Sequence, residues 1–179
     1  MNYIISGPGR VGGHLLEGII RSSGQQNVYR THDPCMDLGD DLNTVLIVVD
    51  RRDRFSAMMS NAIVRHTNQS TEYPNKNIEP FELNPGMFRW EYVQYVDYFK
   101  KHNLSRLYAG VFKVYFEDFV NDHRYIKRIL NLPDLPENKK STAWDMMHNP
   151  APYNFEDIVI NWQKLKTLYL MLRSGESVD

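Results

Sequence analysis

The run Thr44–Val49 (TVLIVV) constrains the fold more than any other stretch of the chain. A strand with one wet face alternates apolar and polar residues, and this run does not alternate. It is apolar throughout after Thr44 and rich in β-branched residues, as a strand covered on both faces requires. Such strands belong to parallel sheets flanked by helices. Shorter runs fit the same sheet: Asn2–Ser6 (NYIIS), Asn27–Thr31 (NVYRT) and Val111–Phe116. Between them the apolar spacing turns helical. Leu15, Leu16, Ile19 and Ile20 predict a helix that Ser22-Ser23-Gly24 stops. Further helices are predicted from Arg54 to Arg65, from Phe88 to His102, from Glu117 to Leu130 and from Phe155 to Leu172. In Phe88–His102 the expected core stripe is Trp90, Val93, Val96 and Phe99. Strands alternating with helices predict an α/β fold in three layers, a central parallel β-sheet flanked by helices.

At 179 residues the chain has the length of a single domain. Lysines and arginines number 21 against 22 acids, a net charge of −1. No broad attraction to nucleic acid or anionic membrane follows, so any anion site must be local. One cysteine, Cys35, allows no internal disulfide and suits a reducing compartment. No apolar run approaches the ~20 residues of a membrane span. The N-terminus also lacks a basic segment ahead of a long apolar core, so the expectation is a cytoplasmic protein without a signal peptide. Residues 67–86, rich in Asn, Pro, Thr and Glu without period, form a candidate lid or acceptor loop. Residues 133–154 read as an irregular connection to the C-terminal helix.

Ligands of parallel α/β sheets bind beyond the carboxyl ends of the strands. The first such end carries "GPGRVGGH", which fits three patterns. Gly7, Gly9 and Gly12 spell G-x-G-x-x-G, a dinucleotide signature that asks for an acid about 20 residues on, where Asp33 stands near. That reading leaves Arg10 without a role. Gly7 and Gly12 also frame G-x-x-x-x-G, but a nucleoside triphosphatase needs Lys and then Ser or Thr next. Gly13 and His14 occupy those places, which sets this reading aside. The third pattern centres on Arg10, the loop's cation.

The later strand ends favour the third. They read "VYRTHDP", "VVDRRDRFSAMMS" and "VYFEDF". In this order the segments resemble the sulfotransferases that use 3′-phosphoadenosine-5′-phosphosulfate (PAPS), over roughly Asn2–Leu132. The resemblance implies a fold of the P-loop nucleotide-binding type, PAPS as co-substrate and no metal. It implies that Pro8, Gly9, Arg10, Val11, Gly12, Gly13 and His14 surround the 5′-phosphosulfate, with Arg10 at the basic position. Arg30-Thr31-His32 stands where the family has K-T-H, and Arg52 with Ser60 matches its 3′-phosphate motif. Phe116, heading Phe116-Glu117-Asp118, would lie near the adenine, and "FRWEYVQYVDYF" resembles the family's tryptophan-bearing helix. The chain departs from the family at Val11, Gly13 and His14, where hydroxyl residues are usual, and shows no R-K-G segment.

The implied reaction moves a sulfuryl group in line from PAPS to a hydroxyl or amine of a small-molecule or glycan-like acceptor. His32 would be the general base, since an imidazole exchanges protons near neutral pH. Arg10 and Arg30 would stabilise the spreading negative charge, and Arg52 and Ser60 would hold the 3′-phosphate. The run Arg51-Arg52-Asp53-Arg54 puts cations at a helix start, against the macrodipole, and a bound anion would account for it. Glu117 and Asp118 read as a helix N-cap pair rather than a catalytic dyad. Two alternatives stay open: an NAD(P)-dependent Rossmann oxidoreductase using Asp33, and a non-catalytic nucleotide-binding protein whose altered loop no longer transfers. The acceptor and the oligomeric state are not written in the sequence.

Overall fold

The computed structural model describes residues 1–33, 41–68, 78–101, 108–133 and 154–175. Cys35, residues 69–77 of the candidate lid and residues 134–153 of the irregular connection lie outside the described residues. The chain divides into two compact units, one of residues 1–52 and 98–149, the other of residues 53–97 and 150–179.

The first unit holds a parallel sheet of β1 (Asn2–Ser6), β2 (Val28–Thr31), β3 (Asp41–Asp50) and β4 (Tyr108–Tyr115). Its order is β2-β1-β3-β4. Ile5 stands opposite Arg30 on one side and Ile47 on the other. The expected inner strand is Thr44–Val49, and all of it is buried, with Ile47 and Val49 wholly inaccessible. Its two faces meet different helices. Leu46 and Val48 cluster with Ile4, and Phe99, in the last turn of α3 (Pro85–Lys101), packs on them. On the opposite face Ile5 lies 3.7 Å from the Cβ position of Gly13, the first residue of α1 (Gly13–Arg21). An Ile47→Ala change would leave a cavity costing about 2–5 kcal/mol.

The α1 helix buries Leu15, Leu16, Ile19 and Ile20, as their spacing predicts. Arg21 closes it onto β2, donating to the carbonyls of Gln26 (2.9 Å) and Val28 (2.8 Å) and to Glu17 (2.8 Å). After β4 the expected single helix is two, α4 (Phe116–Phe119) and α5 (His123–Ile129). Asp122 causes the break by capping α5, its side chain accepting the Arg124 amide at 3.1 Å. No helix among the described residues is long and apolar enough to cross a membrane.

The second unit holds α2 (Arg54–Thr67), α3 as far as Asp97, α6 (Phe155–Ile158) and α7 (Trp162–Ser174). Its aromatic centre is Phe55, whose ring lies 5.6 Å from Phe88, 5.8 Å from Phe155 and 5.6 Å from Tyr169. The expected Phe155–Leu172 helix is interrupted because its backbone pairs elsewhere. Phe81 donates to the Ile158 carbonyl at 2.8 Å and accepts the Ile160 amide at 2.9 Å. Asn161 reinforces that bridge through both main-chain groups of Leu83, at 3.0 and 2.9 Å.

The stripe expected on α3 is also displaced. Trp90 and Val93 are exposed, and Phe88, Glu91, Tyr95 and Tyr98 are the buried positions. Trp90 instead faces the Arg65 guanidinium, 4.4 Å from its ring centre. Glu91, 3 % exposed, is ion-paired with Arg65. Burial pushes its carboxyl above the usual range, and Arg65 only partly opposes this.

Candidate functional site

In the order β2-β1-β3-β4 the chain moves outward from β1 in opposite directions, so the crevice of a doubly wound sheet falls beyond the carboxyl ends of β1 and β3. The glycine loop sits at the first of these ends and the pair Arg51-Arg52 at the second. Backbone geometry explains two of its glycines. A Cβ on Gly7 would meet the Val49 carbonyl oxygen and Val11 Cγ2, each at 2.8 Å, so the loop runs tight against β3. Gly12 has φ 87°, and a Cβ there would sit 2.3 Å from Phe116 Cδ2. Arg10 takes the left-handed conformation too, at φ 66°, with a full side chain.

The loop's missing hydroxyls have a packing reason. Val11 is 2 % exposed, and its Cγ2 is packed so close to Gly7 that a Cβ there would meet it at 2.8 Å, a place for an apolar side chain. Pro8 is buried, Gly9, Arg10, Gly12 and Gly13 are half-buried, and His14 is exposed in the first turn of α1. Gly12 supplies no side-chain cap to that turn, leaving its amides to other acceptors.

At the end of β2, His32 Nδ1 lies 2.8 Å from the Gly7 carbonyl oxygen. A carbonyl only accepts, so Nδ1 carries a hydrogen here, and in the neutral ring the lone pair is then on Nε2. The same loop is held from below by Ser6, whose hydroxyl lies 2.5 Å from that of Tyr98. The Tyr98 phenol is pushed up to about 12, chiefly by burial, with Asp33 adding to the rise and Ser6 opposing it. Arg30 is turned toward α1: its Nε donates to Glu17 at 2.7 Å, and Glu17 also holds Arg21.

At the end of β3, Asp50 is wholly buried, accepting the Arg51 amide at 2.8 Å and lying 3.5 Å from Lys113 Nζ. The two arginines then part. Arg52 forks onto Asp118 at 2.5 and 2.9 Å and stacks 4.6 Å above Tyr115. Its amide donates to Glu117 at 3.0 Å. Arg51 faces the glycine loop instead, with Nη1 3.4 Å from the Arg10 carbonyl oxygen and Cζ 4.7 Å above the Phe116 ring. Its Nε is buried and makes no hydrogen bond among the described residues; the Glu117 carboxylate is 3.8 Å away.

Two sequence expectations change here. Glu117 and Asp118 are not caps: Tyr115 holds the N-cap position of α4 with no side-chain bond, and both acids face the arginines. The basic run does not load a bare helix start either. Asp53 caps α2, accepting the Ser56 amide at 3.1 Å and its hydroxyl at 2.5 Å, while Arg51 and Arg52 lie ahead of the helix. Ser60 stands half-buried on α2, in the second unit. The first unit thus gathers the loop, Arg10, His32 and Phe116, and adds Arg51, which the sequence marks only as a member of the basic run Arg51-Arg52-Asp53-Arg54.

No protein-family model, no curated protein and no solved structure matches the chain.

Proposed function

We propose that this protein is a PAPS-dependent sulfotransferase whose sheet is of the P-loop nucleotide-binding type, acting in the cytoplasm on a hydroxyl or amine acceptor. The observation that carries the reading is the 2.8 Å contact between His32 Nδ1 and the Gly7 carbonyl. It ties an imidazole, through Nδ1, to the backbone of a loop whose glycines, cation and uncapped helix suit an anion, and in the neutral ring leaves Nε2 as the basic nitrogen.

In the proposed reaction the acceptor oxygen or nitrogen attacks sulfur as its proton passes to His32 Nε2. The bond between sulfur and the bridging phosphate oxygen breaks, and adenosine 3′,5′-bisphosphate leaves. Arg10, in the loop, is the cation assigned to the negative charge gathering on the leaving oxygens. Arg30 and Arg52 receive no role, because each would have to exchange a hydrogen-bonded carboxylate, Glu17 or Asp118, for the ligand. The dinucleotide alternative is not carried forward: its usual order places the third strand outside the second, whereas β3 lies beside β1.

The test is transfer from PAPS to a panel of hydroxyl and amine acceptors. His32→Ala is expected to lower the rate by ~10²–10⁴-fold while adenosine 3′,5′-bisphosphate still binds. Equal rates in the two proteins would remove His32 from the chemistry. Binding without transfer in the wild type would favour the non-catalytic alternative.

A further inference from the structure

Among the arginines of the strand ends, Arg51 differs from its neighbours in how its charge is satisfied. Arg30 and Arg52 both hold a carboxylate at hydrogen-bond distance, 2.7 Å to Glu17 and 2.5 Å to Asp118. Among the described residues Arg51 has a carboxylate at 3.8 Å, one long bond of 3.4 Å to the Arg10 carbonyl, and a buried Nε with no hydrogen bond. A buried donor left this way costs free energy, and native proteins rarely keep one without a purpose. The side chain is nonetheless fixed in place. Phe116 lies beneath the guanidinium, and that ring is packed against Gly12, the N-cap of α1. A stacked planar fork, held at the mouth of the glycine loop and short of an acceptor, suits an anionic oxygen.

We propose that Arg51 is the principal anion ligand of this site, taking a phosphate or sulfate oxygen of the nucleotide on its Nε edge. The proposal rests on the loop being the seat of an anionic nucleotide, but not on turnover. Glu117 is the group the anion displaces: its Oε1 is near Arg51 without bonding it, while its Oε2 keeps the Arg52 amide. Arg52 is engaged elsewhere, tying the end of β3 to α4 through its fork on Asp118.

Calorimetric titration of the full chain with adenosine 3′,5′-bisphosphate, and separately with inorganic phosphate, distinguishes the two arginines. Arg51→Gln is expected to weaken bisphosphate binding by roughly tenfold to a hundredfold, the scale of a charge-assisted hydrogen bond. Arg51→Lys keeps the charge and loses the fork, so it restores only part of the affinity and serves if the glutamine variant does not fold. Arg52→Gln is expected to change affinity less than about threefold while lowering the melting temperature. If Arg52→Gln costs as much affinity as Arg51→Gln, or Arg51→Lys binds as well as the wild type, the assignment of Arg51 is overturned and the reading of the loop survives. If the wild type binds neither probe, the reading of the loop falls and this proposal with it.

Discussion

Arg10 holds a left-handed backbone, φ 66°, that glycine adopts freely and other residues adopt at a cost of roughly 1–2 kcal/mol. Two glycines stand within two positions of it, so the chain had cheaper options nearby. Strain of this kind persists where a side chain is needed. Arg10→Gly is therefore expected to raise the melting temperature by about 2–4 °C per kcal/mol released, and to weaken adenosine 3′,5′-bisphosphate binding at the same time. A thermal melt and a titration on the same sample check both halves; unchanged affinity would detach Arg10 from the ligand. At this scale the sequence was partly legible. The glycines announce a tight strand-to-helix turn, and His32 could be picked from its neighbours. Arg51 could not, because spacing to Ser60 favours Arg52, and only three-dimensional partners show that Asp118 has taken Arg52's fork.

Among the elements, β1 and the Thr44–Val49 part of β3 were legible because covered strands leave an apolar run, whereas β2 and β4, with Tyr29 and Val111 exposed, show only shorter ones. Helix breaks were not legible. Asp122 interrupts one helix by capping the next, and a bridge to Phe81 interrupts another, neither of which alters apolar spacing. The face of α3 was misread for a related reason: its buried stripe includes Glu91, which reads as a surface residue until Arg65 is seen beside it. That burial has a testable consequence. Glu91 holds its proton more tightly in the folded chain than in the unfolded one. Its contribution is thus full below the unfolded carboxyl range, near pH 4, and is lost as pH rises through the folded value. Glu91→Gln keeps the contact with Arg65 without the buried charge. Melts from acid to neutral pH are expected to show the variant gaining on the wild type as pH rises; parallel curves would mean that Arg65 fully compensates the carboxylate.

For the molecule, the ordering β2-β1-β3-β4 matters most, because it directs two loops distant in sequence to one crevice. The sequence predicted a parallel sheet but not which strand would neighbour β1, since strand order depends on how the connections cross and not on any one run. Once β3 lies beside β1, the glycine loop, the anchored imidazole of His32 and the stacked guanidinium of Arg51 belong to adjacent strand ends of one unit. A nucleotide anion seated in this crevice would touch the loop amides beside the anchored imidazole of His32. The most direct measurement is a ¹⁵N nuclear magnetic resonance titration of the full chain with adenosine 3′,5′-bisphosphate, following the loop amides and the His32 ring. Saturable shifts of the loop amides between Gly7 and Gly13 are expected, with a hydrogen on His32 Nδ1. Loop amides that stay unmoved at about 1 mM ligand, where even binding worth only ~4 kcal/mol would register, would contradict that seating.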